Sequence, residues 1–150
     1  MVSVIQEEHP ASQVMRWSWT HHAKCVALAR SQLRKYLRHW KAEELNDSAL
    51  LLLSELMTNA VRHAHVSPGQ NIDTVFEVSE ERLRVEVSDA SNKLPAVRHV
   101  DHDEEVGRGL SLVARVATRW GTATRKVNGQ YAIGKTVWFE IDRETCKADA

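Results

Sequence analysis

Two polar residues, Glu55 and Asn59, sit in the segment Ser54–His65, SELMTNAVRHAH, which continues the apolar run from Ala49. Four residues apart, they share one face of a helix with Leu52, Leu56 and Ala60 beside them. Polar groups in such surroundings need partners, either each other within the core or something bound. A carboxylate and a carboxamide in that position can orient a reacting group and offer oxygen to a hard cation. Asp89 supplies a second carboxylate. It follows Leu83, Val85 and Val87 at two-residue spacing, so it shares their inward face. Gly107 and Gly109 stand just before a helical pattern of Leu110, Val113, Ala114 and Ala117. The free N–H groups at such a helix start, with roughly half a positive charge from the dipole, suit an anion. Each feature alone is weak, GRG being as often a plain turn. In this order along one chain they describe the needs of a nucleotide site.

The elements that position these residues follow from periodicity. Residues 13–20, QVMRWSWT, alternate as a strand, with Val14, Arg16 and Ser18 on one face and Met15, Trp17 and Trp19 on the other. From about His22 to Trp40 the spacing of Val26, Ala29, Leu33, Tyr36, Leu37 and Trp40 predicts an amphipathic helix. Asn46 or Asp47 can cap a second helix that runs to about His65, before Ser67-Pro68-Gly69. Residues 71–89 read as a hairpin turning at Ser79 to Glu81. The 17 residues from Ala90 to Val106 keep no period, and a loop that long in a compact domain is expected to be a lid or binding element. A helix from the glycines and a last hairpin, residues 119–127 and 132–142 around Asn128-Gly129, complete the order. Short turns between most strands predict an α+β fold, a two-layer sandwich with an antiparallel or mixed, mostly antiparallel sheet covered on one face by helices.

Composition limits what such a fold can be. A chain of 150 residues with 43% hydrophobic content buries one core, so we expect a tail over 1–12, one domain over 13–142 and a tail over 143–150. Acidic and basic residues balance at 20 each, which removes the electrostatic case for a nucleic-acid or anionic-membrane partner. No apolar run approaches the roughly 20 residues that span a bilayer. The first ten residues lack a signal-peptide pattern, so a cytoplasmic location is expected. Cys25 and Cys146 are too few and too distant for a disulfide framework. His63, His65, His99 and His102 match no firm zinc spacing. Trp17, Trp19 and Trp138 are expected to pack in the sheet, and RSQLRKYLRH, residues 30–39, to be the solvated face of the first helix.

Four stretches carry a resemblance: ELMTNAVRHA, VEVSDASNKLP, GRGLSLVARVATRWG and GKTVWFE. In order and spacing they are similar to the asparagine box, the two glycine boxes and the terminal motif of GHKL-superfamily (histidine kinase-like) ATPases. Within that superfamily the chain resembles bacterial anti-sigma-factor serine/threonine kinases, over about Trp17 to Ile141. The resemblance implies ATP and Mg²⁺ as cofactors. Asn59 would hold the metal, Glu55 would act as catalytic base or polarise the attacking group, and Asp89 would accept the adenine amino group. Thr136 would support that contact through water, and Gly107, Arg108, Gly109 and Leu110 would wrap the phosphates. The family's glycines after the adenine-binding Asp are replaced here by Ala90, Ser91 and Asn92, so the resemblance implies that side chains would border the adenine and that Asn92 would stand in part for the missing backbone contact. The implied function is that of an ATP-binding regulator that phosphorylates a serine on an anti-sigma-factor antagonist and binds a sigma factor, with a homodimer left open. The alternative is a non-catalytic, nucleotide-sensing protein-binding module of the same fold, and a third reading is a metal-binding interaction protein.

Overall fold

A computed structural model describes residues 4–9, 12–20, 23–63, 71–90, 105–127 and 131–144. Among the described residues six strands form one sheet: β1 (Val4–His9), β2 (Ser12–Trp19), β3 (Ile72–Ser79), β4 (Arg82–Asp89), β5 (Arg119–Val127) and β6 (Tyr131–Asp142). Their order is β1-β2-β3-β4-β6-β5 and every pair is antiparallel, the more regular of the two arrangements the sequence allows. Three helices, α1 (Lys24–His39), α2 (Asn46–His63) and α3 (Glu105–Val116), complete the α+β domain. Strand β1 lies within the segment expected to be a tail and pairs along β2 from Val4–Trp17 to His9–Ser12. At the other end, Arg143 donates to the Ser79 and Lys41 carbonyls and pairs with Glu44, tying the end of β6 to the helix layer.

The alternation expected of the strands is what lays the core on one side. Ile72, Thr74, Phe76 and Val78 of β3 are buried, as are Leu83, Val85, Val87 and Asp89 of β4. Leu33 and Leu37 of α1, with Leu52, Leu53 and Met57 of α2, cover them without leaving any of these side chains accessible. Trp17 and Trp19 belong to this core, and the indole N–H of Trp19 donates to Thr74 Oγ1 at 2.9 Å, which satisfies its one polar atom. Trp138 instead sits on the opposite face, half-buried, with the Arg84 guanidinium 4.1 Å above its ring. On that face Arg84 also reaches Glu86 and Glu140, each at 3.2 Å. Burial pushes the Glu140 carboxyl up, but hydrogen bonds from Arg119 and Arg84 outweigh this and hold it below its ordinary range.

The helix ends differ from the local sequence signals. α1 closes with Lys41 in the left-handed region at φ 53°, while the Ala42 N–H reaches back to the Leu37 carbonyl at 2.8 Å. This is the usual glycine-type helix stop carried by a lysine, at a strain of roughly 1 kcal/mol. α2 is not capped by Asn46. A single 3-10 turn, Glu43–Leu45, leads directly into it, and Asn46 already has helical angles of −51° and −53°. Its Oδ1 is buried without a hydrogen-bond partner among the described residues. Leu45, buried just ahead of the helix, anchors this entry in place of a cap.

Tyr36 is the polar tie between α1 and the sheet. Its hydroxyl donates to the Gln13 carbonyl of β2 and accepts the Val78 N–H of β3 at 2.9 Å. Burial pushes its pKa well above the ordinary value, so the hydroxyl stays a donor. Tyr36→Phe should therefore lower stability by about 1–3 kcal/mol, because two buried backbone groups lose their partner. Urea unfolding checks this, and an unchanged midpoint would mean that water replaces the hydroxyl.

Candidate functional site

α2, α3 and the inner face of β4 and β6 meet around a small pocket. Leu56, Asn59 and Ala60 of α2, Val87 and Asp89 of β4, Leu110 of α3, and Lys135 and Val137 of β6 line it. Among the described residues its walls are apolar and its polar side chains are three: a carboxamide, a carboxylate and an ammonium. The strand register sets Lys135 directly opposite Asp89. Both side chains are about 3% exposed, and Lys135 Nζ lies 3.5 Å from Asp89 Oδ2. Burial pushes the Lys135 pKa down and the Asp89 charge offsets this only in part. Such a pair gains little net stability over apolar packing, but removing one partner strands the other charge at a cost of about 3–5 kcal/mol. The free volume in the pocket is about 10 Å³, on the order of one water. Gly134 makes the close approach possible: a Cβ there would lie 2.1 Å from the Asp89 carbonyl oxygen.

The residues singled out from the sequence do not all converge. Asn59, Asp89 and Leu110 line the pocket together, and Asn59 is 8% exposed. Glu55, one turn earlier on α2, is half-buried and does not line it. Thr136 lies on the other face of the sheet. Its hydroxyl meets Ser88 Oγ at 2.7 Å, and neither residue borders the pocket. The expected water-supported contact from Thr136 therefore has no geometric basis, and Lys135 holds the inward position on that strand. The signal was available: Val137, Phe139 and Ile141 alternate inward, and stepping back by two reaches Lys135. Gly107, Arg108 and Gly109 also differ from expectation. α3 begins at Glu105, so they lie inside its first turns rather than ahead of it. Burial of Leu110 and Val113 against the core outweighs the roughly 1 kcal/mol that each helical glycine costs. The backbone N–H groups of Gly107 and Arg108 remain among the first four of the helix, which have no partner within it. Asn92 and most of the expected lid, residues 91–104, lie outside the described residues, as do His65, His99 and His102. Among the described residues no cluster of three or more His, Cys, Asp or Glu could hold a metal ion. None of the helices described is long and apolar enough to cross a membrane.

A larger cavity, about 410 Å³, lies between β2 and α1, lined by Gln13, Met15, Trp17, Gln32, Lys35, Tyr36, His39 and Trp40. Its described lining includes no carboxylate, and none of the paired polar groups of α2, β4 and β6 borders it. Size alone favours this cavity; chemistry favours the small pocket.

The family model of the histidine kinase-like ATPase domain matches residues 20–140. No curated protein matches the chain in sequence. The matched span contains every described residue of the small pocket, and these suit a purine nucleotide in kind: apolar walls from Val87, Leu110 and Val137, a buried carboxylate as acceptor, and a carboxamide oxygen on α2. Space is the one mismatch, since the Lys135 ammonium occupies Asp89. With a sheet-and-helix layer of this topology and a family match over well more than half its length, the chain belongs to the histidine kinase-like ATPase family and is an ATP-binding module of the GHKL type.

Proposed function

We propose that this module is a protein serine kinase of the anti-sigma-factor type, phosphorylating a serine on an antagonist protein and binding a sigma factor. The observation that carries the reading is the placement of α2: it puts Asn59 into the pocket beside Asp89 and leaves Glu55, one turn away, half-buried and within reach of solvent. Asp89 would accept the exocyclic amine of adenine. The Asn59 carboxamide oxygen would hold Mg²⁺, which when bound neutralises phosphate charge. Glu55 would orient the serine hydroxyl of the protein substrate and take its proton as the hydroxyl oxygen bonds to the γ-phosphorus and the bond to ADP breaks. A base meant for a protein substrate has to be reachable from outside, and half-exposure suits that role better than full burial.

A second reading, a nucleotide-sensing module that binds partners without turnover, is favoured by the contact between Lys135 and Asp89. The two separate in one assay. Incubating the purified chain with γ-labelled ATP, Mg²⁺ and candidate antagonist proteins should place label on an antagonist serine. Bound nucleotide with no label on any antagonist would favour the sensing module instead.

A further inference from the structure

The buried pair at the base of the pocket has a consequence for loading. Asp89 and Lys135 face each other across the β4–β6 ladder, on the inner face, with the ammonium 3.5 Å from the carboxylate. The remaining free volume is about 10 Å³, whereas sites that enclose small organic ligands are roughly 300 Å³ or more. A purine ring cannot enter while the ion pair holds the lysine stem there, and the one buried carboxylate among the described residues is already engaged. Asp89 is fixed on the strand, and Gly134 presses against its carbonyl. Lysine has four rotatable carbons in its stem, so the movable partner is Lys135.

We propose that Lys135 is an internal plug of the base pocket, holding Asp89 until a nucleotide base displaces it and thereby setting the nucleotide concentration at which the domain loads. This rests on the reading of the pocket as the nucleotide site. The closed form, with Lys135 on Asp89, excludes the base; the open form, with the ammonium swung out, admits it. Apparent affinity is then the intrinsic affinity reduced by the fraction of molecules that are open. Burial lowers the Lys135 pKa, and the charge and hydrogen bond of Asp89 offset this only in part.

The electrostatics make a substitution diagnostic. Removing a positive charge beside an anionic ligand should weaken binding if the lysine assists the nucleotide, and should tighten it only if the lysine competes. Titration calorimetry of ADP·Mg²⁺ against the wild type, Lys135→Ala and Lys135→Met tests this. Lys135→Ala should bind at least 10-fold more tightly than the wild type, and its melting temperature should rise more on adding ADP. Lys135→Met, which keeps most of the stem and loses the ammonium, should also tighten, by about threefold or more, and serves if the alanine variant does not fold. Equal or weaker binding by the folded variants overturns the plug and leaves the nucleotide site standing. Absence of binding by all three proteins at millimolar ADP overturns the site, and the plug with it.

Discussion

Glu55→Gln should leave nucleotide affinity within about twofold of the wild type and reduce phosphoryl transfer to an antagonist serine by roughly 100-fold or more. The substitution keeps the side-chain shape and one acceptor oxygen but cannot take a proton. Glu55 does not line the pocket, so Asn59, which would hold Mg²⁺, and Asp89, which would accept the adenine amine, are untouched. Asn59→Ala provides the contrast, since it should weaken Mg²⁺-dependent binding and transfer together. A structural pair on α2 predicts a different pattern, in which both substitutions lower the melting temperature and neither affects nucleotide selectively. Melting temperature, ATP affinity and label transfer measured on the same two variants distinguish the cases. Transfer by Glu55→Gln equal to that of the wild type would remove Glu55 from the chemistry.

Gly134→Ala should be the most damaging small substitution in the sheet, lowering stability by about 3 kcal/mol or more. The added methyl would sit 2.1 Å from the Asp89 carbonyl oxygen and 3.1 Å from the Ala90 Cα, both backbone atoms. Backbone in a paired strand cannot rotate aside as a side chain can, so β4 and β6 must separate locally. For a chain of this length that corresponds to a fall in melting temperature of roughly 6–12 °C. Gly121→Ala is the control: its methyl would meet the Trp138 ring at 2.8 Å, and a half-buried side chain can shift where backbone cannot. A melting temperature for Gly134→Ala equal to that of Gly121→Ala would show that the two strands have more freedom than the close approach allows.

Most of the fold was legible because it depends on local periodicity. The helical spacing from Val26 to Leu37, the turn at Ser79 to Glu81, and the alternation through β4 to Asp89 are written in consecutive residues. Ser79 even supplies the turn chemistry, its hydroxyl accepting the Glu81 and Arg82 N–H groups at 3.2 Å. β1 was not legible, since VIQEEH carries no apolar alternation and is a strand only because β2 offers it an edge. α3 begins earlier than its glycines signal for a related reason: glycines mark helix ends locally, and here the burial of Leu110 and Val113 prevails.

Within the candidate site, Asp89 and Asn59 could be found from parity and helical spacing, but the depth of Glu55 could not. Helical spacing places Glu55 and Asn59 on one face, whereas burial across that face varies with what packs over each turn. Thr136 came from the motif resemblance against the strand's own alternation, which points to Lys135. That lysine lines the pocket with Val87, Leu110 and Val137, and only the tertiary register supplies its partner.

The location of the nucleotide is the point on which everything else depends, and one measurement addresses it: the amide and methyl chemical-shift changes of the labelled chain on titration with ADP·Mg²⁺. The changes should concentrate on Leu56, Asn59, Ala60, Val87, Leu110 and Val137, the walls of the pocket between α2, α3 and the sheet. Changes concentrated instead on Met15, Trp17, Tyr36 and Trp40 would place the ligand in the larger cavity between β2 and α1 and contradict this account.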